Sequence, residues 1–167
     1  GHLVQLGHRN IGIIMGPEKY STFAERMVGC FDVLQEYDIT LDESHVKNIE
    51  VTKEEIESTV IDLISSNNRP TAIVCGTDHI ALIVMDVILS MGLKIPEDIS
   101  IIGFDDIAIA KHQSIQLTTV AHNVQRMAEL AVHYLIKNIE GTLTEQEHRI
   151  ILEPYLIVRK TTAKIST

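Results

Sequence analysis

Tryptophan is absent from this 167-residue chain and only seven residues are aromatic, so its core must be built mainly from Ile, Leu, Val and Met. Two cysteines are too few for a disulfide framework, and Cys30 and Cys75 both stand among apolar neighbours, as buried reduced thiols do. Basic residues are in deficit. The 14 Lys and Arg against 23 Asp and Glu give a formal charge of −9, and an acidic domain repels nucleic acid at long range. Long hydrophobic runs are missing too: the longest, 80–89, is interrupted by Asp86 and falls short of the roughly 20 residues a membrane helix needs. No secretory leader is visible. There is no G-x-S-x-G nucleophile elbow, and Gly12-Ile-Ile-Met-Gly16 has neither the dinucleotide fingerprint nor the Lys-Ser/Thr of a phosphate loop. Eight histidines are present, yet no two have the i, i+4 spacing of paired ligands on a helix face, so no metal site is expected. No nucleophile–base pair or cofactor motif stands out, so the chain reads as a non-enzyme.

What is present is organised around 69–106. Residues 71–75 form a short β-branched run with the length of a buried strand. Gly76-Thr77-Asp78 follows as a turn able to cap a helix, residues 79–91 are helical, and Gly92 and Pro96 end the helix. A second apolar strand, 99–104, runs into Asp105-Asp106. Strands joined by a crossover helix are parallel. Further strands are expected at 11–15, 44–51 and 118–121, with two late strands at 148–153 and 155–160. Helices are expected at 21–37, with Phe23, Met27, Phe31 and Leu34 as one stripe, at 53–67 behind a Thr52–Glu55 capping box, and at 124–140 behind Asn123. The alternation predicts an α/β fold, a doubly wound parallel sheet flanked by helices, over 1–167 as a single domain.

Two features of this layout bear on function. The helix 79–91 is apolar nearly all round, and its outer face near Leu82, Met85, Asp86 and Leu89 is expected to pack on another subunit, with His112 in the same interface. Polar groups also gather at the carboxyl ends of four strands, where open α/β sheets bind ligands. They are Arg26, Tyr20 and Thr22 at and within the helix after the first strand, Thr77 and Asp78 after the next, Asp105 after a third, and His122 and Asn123 after a fourth. A charged donor, a charged acceptor and short hydroxyls suit a polar small molecule. Taken singly, each has an equally good plain role: a solvated arginine, a helix cap, a turn former, a surface histidine. Asp105 and Asp106, adjacent at a strand end, point apart, so one is expected to face a ligand or cap the following turn, and the pair is not a catalytic dyad.

The segments Leu6-Gly7-His8-Arg9-Asn10-Ile11-Gly12, Arg26-Met-Val-Gly29, Thr77-Asp78-His-Ile-Ala-Leu82, Pro96-Glu-Asp-Ile-Ser-Ile-Ile-Gly-Phe-Asp-Asp106, Leu117-Thr-Thr-Val120 and Val158-Arg-Lys-Thr-Thr162 occur in that order. Together they make the chain similar to the LacI/GalR (lactose/galactose repressor) family along essentially its whole length. The resemblance implies a cytoplasmic, homodimeric regulator with an N-terminal helix-turn-helix headpiece and a two-subdomain core resembling periplasmic sugar-binding proteins. This chain would be the C-terminal subdomain of that core plus the segment that crosses back to the other one, a fragment without the headpiece and most of the N-terminal subdomain. It would sense a small-molecule effector, use no cofactor, and touch operator DNA only through the headpiece. A transport-type solute-binding protein shares the fold and is the other reading. Arg26 and Asp105 match the family's effector-contacting arginine and aspartate. Thr77 stands where Asn is usual, His122 where Gln is common, and Val124 where some members place an aromatic. Tyr20 and Thr22 match positions used by the purine-sensing branch, but Tyr20 replaces its arginine, so a purine is not supported. The helix 124–140 would cover the other subdomain's sheet, and on its own its face of Met127, Leu130 and Tyr134 needs another partner.

Overall fold

A computed structural model of the chain describes residues 1–142, 144 and 149–165. A short helix α1 (His2–Gln5) leads into β1 (Ile11–Met15), followed by α2 (Ser21–Glu36), β2 (Val46–Asn48), α3 (Lys53–Ser65) and β3 (Ala72–Cys75). Then come α4 (Asp78–Ser90), β4 (Ser100–Phe104), β5 (Thr118–Ala121), α5 (Val124–Ile139) and β6 (Tyr155–Ile157). The sheet order is β2-β1-β3-β4-β5-β6, with every pair parallel except β5–β6. The parallel, doubly wound sheet is therefore present, with an antiparallel edge strand added. Because β1 connects outward to β2 on one side while β3 starts the run on the other, a crevice opens at the carboxyl ends of β1 and β3.

Strands buried on both faces must alternate between two cores, and these do. Ile14, Ile73, Cys75 and Ile101 point into a core with α3 and α4, whereas Ile11, Ile13, Met15, Ala72 and Ile102 point toward α1 and α2. Both thiols are free, and burial pushes Cys30 up to about 11. Local signals work as the chemistry requires. The Thr52 hydroxyl accepts from the Glu55 N–H at 3.3 Å, and Asn123 Oδ1 accepts from the Arg126 N–H at 2.9 Å. Gly92 takes φ +80° at the end of α4, the left-handed stop its position predicts.

Several expectations need correction. Phe31 does not belong to the buried stripe of α2; it is exposed, while Met27 and Leu34 are buried and Cys30 packs beside them. At 3.6 residues per turn, Phe23, Met27, Cys30 and Leu34 lie within about 60° of one another, and Phe31 falls outside that arc. The strand expected at 44–51 is only Val46–Asn48, because Glu43–His45 form a 3-10 turn capped by Asp42. The strand expected at 148–153 is not formed over 149–153, and His148 lies outside the described residues. Ile150 and Leu152 leave the sheet and line a cleft with Met127, Leu130 and Tyr134 of α5. The last strand stops at Ile157, where Arg159 turns to other bonds. Met85, expected on an outer face, packs in the chain's own core. The outer surface of α4 is left to exposed Asp86 and Leu89 and half-buried Leu82.

The sixteen residues of α5 include none that is buried. Its partner-seeking face is half met: Leu130 and Tyr134 are partly covered, whereas Met127, Leu135 and Ile139 stand exposed.

Candidate functional site

Glycines at two strand ends shape the crevice. A Cβ on Gly16, after β1, would sit 2.2 Å from the Phe23 ring, and one on Gly76, after β3, would sit 3.0 Å from it. The absent side chains let Phe23 pack between both strand ends, which seats the first turn of α2 against the sheet. Arg26 follows one turn later and reaches across the crevice.

The Arg26 guanidinium donates through Nη1 to the Gly76 carbonyl and through Nη2 to Asp105 Oδ1 at 3.3 Å. Its carbon lies 3.6 Å from the centroid of the Phe104 ring, a cation-π contact. His122 Nε2 is 3.6 Å from the same Asp105 oxygen, and its ring packs on Phe104 at 5.3 Å between centroids. Four strand ends thus deliver one cluster: Arg26 after β1, Gly76 after β3, Phe104 and Asp105 closing β4, His122 closing β5. Arg26 and Asp105 side chains are 18% and 32% exposed, so the pair is shielded yet open to a ligand. Burial pulls the Arg26 guanidinium below its ordinary range, and neighbouring Asp105 works against that pull. It stays charged at any physiological pH.

Thr77, Tyr20, Thr22 and His112 make no hydrogen bond to this cluster among the described residues. Thr77 caps α4, its hydroxyl accepting from the Ile80 N–H at 3.2 Å, and its O–H remains able to donate. Tyr20 is the exposed N-cap residue of α2, and Thr22 is exposed in that helix's first turn. His112 is exposed and bonded to Ser114, well along the loop after β4. Asp105 and Asp106 do point apart, the first to Arg26 and the second to Arg159 and Lys111. Among the described residues, no group of three His, Cys, Asp or Glu side chains is placed to hold a metal ion, and no helix is long and apolar enough to cross a membrane.

A family model described as a periplasmic binding protein-like domain matches residues 1–162. The chain belongs to that family, in its LacI-type branch. The ribose operon repressor of Haemophilus influenzae is 34% identical over 158 residues, covering 95% of this chain and 47% of that protein. Among solved structures, the transcriptional regulator CelR in complex with cellobiose superposes with a TM-score of 0.86 at 28% identity, over 96% of this chain and 49% of that one. The lac repressor dimer bound to operator and an anti-inducer gives 0.85 at 25% identity, over 97% and 55%. This chain therefore spans about half the length of the curated relatives it matches.

Phe104 carries no signal of the site in the sequence, and Asp78, expected with Thr77 at the rim, lies beneath it. Phe104 ends an apolar strand and reads as core; only the tertiary fold turns its ring toward Arg26. Asp78 reads as a helix cap near the rim, but it is fully buried beneath the turn that carries Asp105, accepting from the Thr119 hydroxyl and from the Ile107 N–H at 2.9 Å. Burial raises its carboxyl above the ordinary range, and those two donors oppose the shift. A Cβ on Gly103 would lie 2.2 Å from Asp78 Oδ1, so a glycine in β4 is what makes room for this carboxylate.

Proposed function

We propose that this chain is the effector-sensing lobe of a bacterial transcriptional regulator and that Arg26 and Asp105 hold a small, uncharged, hydroxyl-bearing molecule. The observation that carries this reading is the compensated pair itself. One positive and one negative group face each other over an aromatic ring, so the rim has little net charge to favour a phosphate or carboxylate. Arg26 keeps N–H donors beyond those given to Gly76 and Asp105, and Asp105 keeps its second oxygen, which together match the acceptor and donor of neighbouring hydroxyls. Phe104 and His122 supply flat ring surface, and Thr77, Tyr20 and Thr22, at the starts of α4 and α2, offer hydroxyls to the same ligand. CelR, a structural neighbour, holds cellobiose. In this reading the groups of the rim are paired for binding.

In the intact protein a second lobe closes the crevice, and α5, bare here, packs on that lobe. Ligand closure then changes the angle between lobes and with it the fit of paired DNA-reading headpieces to an operator. Two copies pair through α4, where Leu89, 52% exposed, shares a helix face with exposed Asp86 and half-buried Leu82, and exposed His112 joins the same interface.

The test is a thermal-shift and calorimetric screen of the intact protein against D-cellobiose, D-ribose, sugar phosphates and hypoxanthine. A neutral sugar is expected to bind, with Arg26→Leu weakening it by about 100-fold. Tight binding of only phosphorylated ligands or purines would overturn the charge argument. Sedimentation of Leu89→Asp against the unmodified protein tests the pairing: a dimer that survives unchanged places the interface elsewhere.

A further inference from the structure

Asp105 carries φ +115° and Asp106 φ +51°, two consecutive L residues in a half of backbone space that side chains rarely occupy. Such a conformation persists only when its surroundings impose it. Three contacts do so here. The Asp105 N–H donates to the Val120 carbonyl at 2.8 Å, tying the turn to β5. The Ile107 N–H, just past the turn, donates to Asp78. The Asp106 carboxylate receives Arg159 Nη2 and Lys111 Nζ, the latter at 3.0 Å.

We propose that Arg159 and Asp78, neither of which reaches the rim, are positioning residues that fix this turn and so aim Asp105 at Arg26. As a statement about effector recognition, this rests on the function proposed above. Arg159 is the shielded partner of Asp106, its side chain 12% exposed against 58% for Lys111. Its guanidinium works as a fork: while Nη2 holds Asp106, Nη1 donates to the Leu117 carbonyl at 2.7 Å. The Arg159 N–H itself donates to Thr118 Oγ1 at 2.9 Å. The fork therefore clamps the turn after β4 to the start of β5, from a residue on the segment that brings the chain back from α5. Asp78 clamps the same turn from beneath, and it is the first residue of α4. The direction of Asp105 is thus set by the return segment and by α4, not by β4 alone. This also accounts for two aspartates in a row: the first faces the ligand, and the second is the handle by which the turn is held.

Arg159 can be removed without dismantling its segment. Lys160 N–H still donates to Gln116, Thr161 still bonds Ile101 and Thr118, and Ala163 still bonds Ser100. The test reads the arginine side-chain NMR signals of the 15N-labelled chain. In the unmodified protein, the Arg26 guanidinium, bonded on two sides and lying over Phe104, should give resolved, ring-shifted N–H signals. Arg159→Ala should collapse them toward free-arginine positions, as Asp105→Asn should. Arg159→Lys should restore them partly, since it returns the charge without the fork. Asp78→Ala should act like Arg159→Ala. Asp78→Asn should keep the signals, because an amide can accept from Ile107 and donate to the Thr119 hydroxyl; this conservative variant keeps the Asp78 arm decisive if Asp78→Ala fails to fold. A merely structural role would lower Tm and leave the Arg26 signals unmoved, and that result overturns the proposal. In the intact protein, Arg159→Ala should weaken D-cellobiose or D-ribose by about tenfold. Displaced Arg26 signals with unchanged sugar affinity would overturn the link to recognition. Should neither sugar bind the unmodified protein, the effector reading fails and the Arg26 spectrum alone decides the positioning.

Discussion

Two regions of this molecule are built from the same kinds of residue and end in opposite states. On one side of the sheet, α3 and α4 close a core in which Ile56, Val60, Ile73, Ile80, Ile88 and Ile101 are fully buried. Beyond β5, α5 is as amphipathic as any helix in the chain, yet Leu135 and Ile139 face solvent. An apolar stripe declares that a face will be covered, but it does not say by what. The first region finds its cover within a few dozen residues of chain. The second finds, among the described residues, His122, Ile150 and Leu152 along one flank.

That contrast can be broken by measurement. The largest effect belongs to the closed core: Ile101→Ala should cost about 3 kcal/mol in urea denaturation, through lost burial and a residual cavity. A loss under about 1 kcal/mol would mean that the α3/α4 face is loosely packed. Next comes acid. His8 is buried between the Thr71 hydroxyl and the Ala163 carbonyl, and burial holds its imidazole below the ordinary histidine range. A depressed folded value means that its contribution is complete above the unfolded value and drains as pH falls through the folded one. Tm should therefore drop as pH goes from 7.5 to 5, and His8→Gln should be less stable at pH 7.5 but flatter across that window; an equal slope would remove His8 as the cause. Smallest of all, Ile139→Ala on α5 should change stability by less than about 0.5 kcal/mol. A large loss there would show that α5 already has a partner in this chain, and the contrast between the two regions would fall.

The rim was legible in part, for a reason that particular residues make plain. Arg26, Asp105 and His122 could be nominated because each follows a recognisable strand, and parallel strands bring their carboxyl ends to one edge. Their convergence within 3.6 Å is a tertiary fact. Phe104 was hidden by its own hydrophobicity, whereas Asp78, nominated for the rim, is fully buried beneath it. Gly16 and Gly76 gave no signal beyond ending a strand, because the Phe23 ring that needs their missing side chains is brought there only by the fold. The lost strand at 149–153 is the opposite case: its apolar residues promised a ladder, and α5 drew Ile150 and Leu152 away.

Local chemistry is what this sequence determined by itself. Strands of β-branched residues, a Thr52 cap, a left-handed stop at Gly92 and a buried alternation that sends Ile13 and Ile14 to different cores all follow from neighbours a few positions apart. Which side chains meet was decided only by the tertiary structure. Arg26 and Asp105 are 79 positions apart, and Asp106 and Arg159 are 53 apart. A hydrogen bond depends on distances of a few tenths of an ångström, and over such separations only the assembled sheet fixes them.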